Sequence, residues 1–65
     1  MTPEQERLIA ALDRLPMVPR LVYLLAATDG LRHEEIAFRL GVSVKEVEAH
    51  LSEALTLLAV LLDDP

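Results

Sequence analysis

The chain contains no cysteine, which excludes disulfide staples and thiolate metal sites and fits a reducing compartment, the cytoplasm. Aromatic side chains are nearly missing too: Tyr23 and Phe38 are the whole set. With only two glycines against so much Leu, Ala and Val, the composition favours helix over disorder. No apolar run approaches the roughly 18–20 residues that a membrane span needs, so no membrane anchor is expected. The opening "MTPEQERLIAAL" lacks the basic stretch of a secretory signal. Positive charge is scarce: 6 Lys and Arg face 11 Asp and Glu, for a net charge of −5. That sign opposes nucleic-acid binding, in which Lys and Arg on phosphates supply much of the affinity. The imbalance is local. Arg7, Arg14, Arg20, Arg32 and Arg39 nearly offset the acids of residues 1–42, whereas Lys45 alone opposes Glu46, Glu48, Glu53, Asp63 and Asp64 in residues 43–65.

What is present is a chain of 65 residues, 52% hydrophobic, enough for a single domain over 1–65. A Met1 start and a "DDP" end suggest a complete small protein. Such a domain buries only about 60% of its unfolded surface, and below roughly 70–80 residues a staple, a metal or a partner chain is usual. Punctuation and periodicity divide it into four helices, over about 3–15, 18–28, 32–40 and 44–62. Thr2 and Pro3 open the first, whose apolar stripe is Leu8, Ile9, Leu12 and Leu15, and Pro16 ends it. The second, with Leu21, Val22, Leu24 and Leu25, is apolar on more than one side and is expected to be the central, most buried helix. "TDG" stops it, with Gly30 free to take positive φ. The third turns Ile36, Ala37 and Leu40 inward and closes at Gly41. "SVKE" then forms a capping box between Ser43 and Glu46. The fold class is all-α.

Helix, short turn, longer helix is helix-turn-helix arithmetic. Ala37 supplies the small residue where the two helices meet, Gly41 the turn, and Val42, Val47 and Leu51 the contacts of the second helix on the first. Residues 15–55, "LPMVPRLVYLLAATDGLRHEEIAFRLGVSVKEVEAHLSEAL", resemble region 4 of bacterial sigma factors, especially the extracytoplasmic-function group. Members run through leucine-proline, an arginine, "VFLL", an acidic-glycine turn, "EIA", "RLG", "SVKTV" and then a basic helix. The resemblance implies a non-enzymatic domain without cofactor that binds promoter DNA through its last helix and contacts RNA polymerase. Members usually bear Lys or Arg at several of the positions held here by Glu48, His50, Glu53, Leu55, Leu57 and Ala59.

Two functions follow, from different classes. In the first, the domain regulates bacterial transcription initiation with weakened or lost DNA contact. Any such contact runs through Ser43, Lys45, Glu46, Ala49 and His50 at the front of the fourth helix, with Arg32 and Arg39 meeting the phosphate backbone. In the second, it is an acidic, sigma-like protein-interaction module, binding an anti-sigma factor or polymerase without DNA. "LTLLAVLL" (55–62) is apolar around nearly its whole circumference. Val47, Leu51, Leu55, Leu58 and Leu62 are expected to face the core, which leaves Leu57, Val60 and Leu61 as an interface for a homodimer or a partner helix. Catalysis and metal binding have no constellation to carry them. "HEEIA" has Ala37 where a zinc-protease helix needs its second histidine, so His33 is read as a surface residue. Glu34 and Glu35 diverge by about 100° on a helix and form no catalytic pair.

Overall fold

The computed structural model describes residues 1–63; Asp64 and Pro65, from the "DDP" ending, lie outside the described residues. Among the described residues there are four helices: α1 (Pro3–Asp13), α2 (Met17–Ala27), α3 (His33–Leu40) and α4 (Val44–Leu62). The all-α class expected from the sequence is the observed one.

Local chemistry sets each boundary. At the start of α1 the Thr2 hydroxyl accepts from the Gln5 N–H at 3.1 Å, and the Gln5 side chain accepts from the Thr2 N–H at 2.9 Å, a reciprocal box that satisfies two otherwise unpaired donors. α1 ends at Asp13, before the expected residue 15, because Pro16 forces Leu15 out of helical geometry. The Arg14 and Leu15 amides turn back instead to the Ala11 and Leu12 carbonyls at 3.0 and 3.1 Å. α2 starts after Pro16, with Pro19 in its first turn, where no intrahelical N–H is needed. Its last carbonyls are closed by Thr28 and Asp29, whose amides both reach Leu24 O (2.8 and 3.3 Å), and by Leu31, which reaches Leu25 O at 3.1 Å. Gly30 takes φ +68°, the left-handed turn conformation that favours glycine.

The core has two parts strung along α4. Ala11, Leu15, Ala54 and Leu58 are buried where α1 meets the second half of α4, flanked by Leu8, Leu12, Tyr23, Leu57, Leu61 and Leu62. Val22, Ile36, Ala37 and Val47 are buried where α2 and α3 meet its first half, flanked by Leu25, Ala26, Leu31, Leu40, Val42 and Leu51. α4 therefore packs on all three other helices. It takes the central place expected of α2: its 19 residues contribute fully buried side chains to both clusters, whereas α2, with 11, buries Val22 in one and reaches the other through half-buried Tyr23. Leu21 of α2 is exposed accordingly.

Two further expectations shift for one shared reason. Periodicity puts Leu55 on the core stripe of α4 and Ile9 on that of α1, yet both are about half exposed, and Ala54 and Ala11 are buried in their stead. An alanine lets two helix backbones approach closely, and the cluster at the α1–α4 contact contains both. The side chain of Arg7, in α1, donates to the carbonyl of Leu62, the last residue of α4, at 3.0 Å. A cation there complements the negative end of the helix dipole. No helix among the described residues is long and apolar enough to cross a membrane.

Candidate nucleic-acid interface

The sharp turn between α3 and α4 is closed by one carbonyl. Ala37 O accepts from the Gly41 N–H and, at 3.1 Å, from the Val42 N–H. Gly41 meets the geometry with φ +70° and ψ 32°. Two residues later the Ser43 hydroxyl accepts from the Glu46 N–H at 3.0 Å, and the Glu46 carboxylate accepts from the Ser43 N–H at 3.3 Å. The capping box expected from "SVKE" is formed. Val42 and Val47 then dock α4 against Ile36 and Ala37 of α3.

At 100° per residue, the side of α4 opposite buried Val47 carries Lys45, Ala49, Ser52 and Thr56, all exposed. Glu48 borders this strip on one flank, and Glu46 and Glu53 border it on the other. Of the front residues singled out from the sequence, Ser43, Lys45, Glu46 and Ala49 are exposed together on this end of α4, and His50 sits half-buried at its edge. Ser43 and Glu46 are engaged with one another in the cap. His50 Nδ1 lies 3.9 Å from Glu53 Oε1.

His33, read as a plain surface residue, is half-buried, and its Nδ1 is 3.4 Å from Glu48 Oε2. The contact ties the start of α3 to the flank of α4. Both histidine–carboxylate contacts are partly exposed to solvent and become ion pairs only with the imidazole protonated, so each is worth about 0–1 kcal/mol at most. The His33–Glu48 contact was not legible from sequence, since the two become neighbours only through the turn, whereas His50 and Glu53 stand three apart on one helix.

Arg32 is the residue before α3. Its N–H donates to Glu35 Oε1 at 3.0 Å, but a guanidinium has no acceptor to complete a box. Arg39 lies exposed in the last turn of α3. Neither arginine, nor Lys45, forms an ion pair among the described residues. Of the three apolar residues proposed as an interface, Leu57 and Leu61 are half-buried against the α1–α4 cluster, and Val60 is 67% exposed. Leu55, at 51%, is the other large apolar side chain that the second half of α4 presents to solvent.

The packed pair α3–α4, joined through a left-handed glycine and entered by a capped second helix, defines a helix-turn-helix protein. Residues 5–58 match the family described as Sigma-70, region 4. The chain belongs to that family, whose helix-turn-helix fold serves transcription and is a DNA-binding regulatory fold rather than an enzyme scaffold. Comparison with curated proteins and with solved structures gave no match.

Proposed function

We propose that this chain acts in the cytoplasm in the regulation of bacterial transcription initiation, as a region 4 domain whose contact with DNA is weakened or lost. One observation carries the reading: the exposed front of α4 sets a single lysine among Glu46, Glu48 and Glu53. A helix in the major groove lies between two phosphate strands, and its flanks come nearest to them. Carboxylates on both flanks repel those phosphates, and the counterion release that drives binding is lost with each missing cation. Lys45, with Ala49 and the Ser43 and His50 side chains beside it, and Arg32 and Arg39 at the two ends of α3, are what remain to touch a duplex. Titration of a labelled promoter duplex at low salt tests the proposal. Binding that is weak and nearly indifferent to base sequence supports it, and tight sequence-specific binding removes it.

A second reading has its own support. Leu55 and Val60 leave the second half of α4 with apolar surface on an acidic helix, as suits contact with another polypeptide. The family connection points to RNA polymerase or an anti-sigma factor as that polypeptide. In this reading the domain occupies a protein partner and needs no affinity for DNA. Competition with an intact sigma factor for its anti-sigma partner and for RNA polymerase distinguishes the two: displacement from either favours the second reading, and none from both at saturating domain excludes it. Leu57 and Leu61 have partners within the chain, so the end of α4 offers less for self-association than its composition implies.

A further inference from the structure

The chain has two histidines, and the fold sets each beside a glutamate. His33, in the first turn of α3, reaches across to α4, where its Nδ1 lies 3.4 Å from Glu48 Oε2. His50, on α4 itself, has its Nδ1 3.9 Å from Glu53 Oε1, and Glu46 stands one turn earlier on the same side. These are the carboxylates that border the exposed strip of Lys45, Ala49, Ser52 and Thr56: Glu48 on one flank, Glu46 and Glu53 on the other. Each flank therefore carries an imidazole beside an acid. Few other charges bear on the two rings. α3 packs on α4 and α2. From α4 it meets Glu48 and, one turn earlier, Lys45; the one charged side chain of α2, Arg20, is turned to Asp13 at 3.8 Å. Around His33 itself, α3 and its N-cap carry Arg32, Glu34, Glu35 and Arg39. α1, with Glu4, Glu6, Arg7 and Asp13, packs on the half of α4 beyond His50. Among the described residues neither histidine has a second ion-pair partner.

Imidazole is the side chain whose charge ordinarily changes between about pH 5 and 8. With both rings neutral, one lysine against Glu46, Glu48 and Glu53 leaves the front of α4 at −2. Two imidazolium charges cancel that excess. We propose that His33 and His50 make the contact of α4 with nucleic-acid phosphates pH-dependent, each protonated ring neutralising the carboxylate on its own flank. Affinity then rises as the rings gain protons at low pH and falls as they lose them at high pH. The inference rests on the reading that flanking carboxylates hold this domain off DNA, and it names what relieves that repulsion. A unit charge about 7 Å from a phosphate, in water at about 0.1 M salt, changes affinity by about two- to threefold. The two histidines together are therefore expected to be worth about four- to ninefold.

Titration of a labelled duplex with the full chain at about pH 8 and about pH 5.5, in about 0.1 M salt, tests it. Wild type is expected to bind weakly at the higher pH and about four- to ninefold more tightly at the lower. His33→Gln and His50→Gln are each expected to lose one share of that gain, and the double variant all of it. The terminal amine also titrates near pH 8, and these variants leave it in place. His33→Lys, charged at both pH values, is expected to keep its share of the gain at the higher one. Both rings are partly exposed, so helical circular dichroism should be unchanged throughout. Glu4→Gln is the control for overall charge. It adds one unit beside Leu62, about 25 Å along α4 from Lys45, and is expected to leave affinity unchanged. Tight binding by wild type at the higher pH would remove the underlying reading and this inference with it. Weak or absent binding that does not respond to pH would overturn the inference alone, as would a gain that survives in the double variant or an equal rise from Glu4→Gln.

Discussion

Ala54 and Leu55 are neighbours in sequence and opposites in structure: the alanine is fully buried and the leucine half exposed. Size therefore does not rank residues here, position does. Ala54→Leu forces extra methyl groups into the α1–α4 contact and is expected to cost about 1–3 kcal/mol. Leu55→Ala, on the outer side, is expected to change stability by less than about 0.5 kcal/mol. Urea denaturation of the two variants checks the contrast, and equal costs would mean that the helix is phased differently. Gly41 makes a different kind of demand. A Cβ there meets nothing within 4 Å, so Gly41→Ala tests the backbone alone, with an expected loss of about 1–2 kcal/mol for holding an L-residue at positive φ. The denaturation midpoint should fall with an unchanged slope.

At the scale of the element, α4 shows how far sequence reasoning reaches. Its start was legible in full, because a capping box and a left-handed glycine act over three or four residues and leave a local mark: Ser43, Glu46 and Gly41 stand where the pattern put them. Its first half was legible through Val47 and Leu51. The second half was legible only in part: Leu58 and Leu62 pack where the stripe put them, but a helix apolar on every side carries little phase, and the choice between Leu55 and Ala54 was settled by how closely α1 could approach. Long-range pairings such as Arg7 with the Leu62 carbonyl and His33 with Glu48 leave no periodicity to read. The identity of the helix-turn-helix was written in local signals, whereas the surface it presents depended on tertiary register. The cap predicts its own test. Ser43→Ala is expected to destabilise the start of α4 by about 1 kcal/mol, seen as faster hydrogen exchange at the Glu46 and Val47 amides, with the last turns unaffected.

For the whole molecule, two small clusters on one long helix mean little reserve. Val22, Ile36 and Val47 are its largest fully buried side chains, and Ile36→Ala is expected to cost about 2–5 kcal/mol. A domain of this size loses about 4–8 °C of melting temperature per kcal/mol, so thermal circular dichroism should show a fall of about 8 °C or more, and a smaller one would mean that the α2–α3–α4 cluster carries less of the stability than its burial implies. Charge is the other property of the whole, and it bears most directly on function. The measurement that decides the matter is the salt dependence of duplex binding for wild type beside a Glu48→Lys, Glu53→Lys double variant. Wild type is expected to bind weakly with a shallow slope of log affinity against log salt. The double variant should bind more tightly, its slope steeper by about one unit for each new phosphate contact. A wild type that already binds tightly with a steep slope, or a double variant no different from it, would contradict the claim that carboxylates on the flanks of α4 hold this domain off DNA.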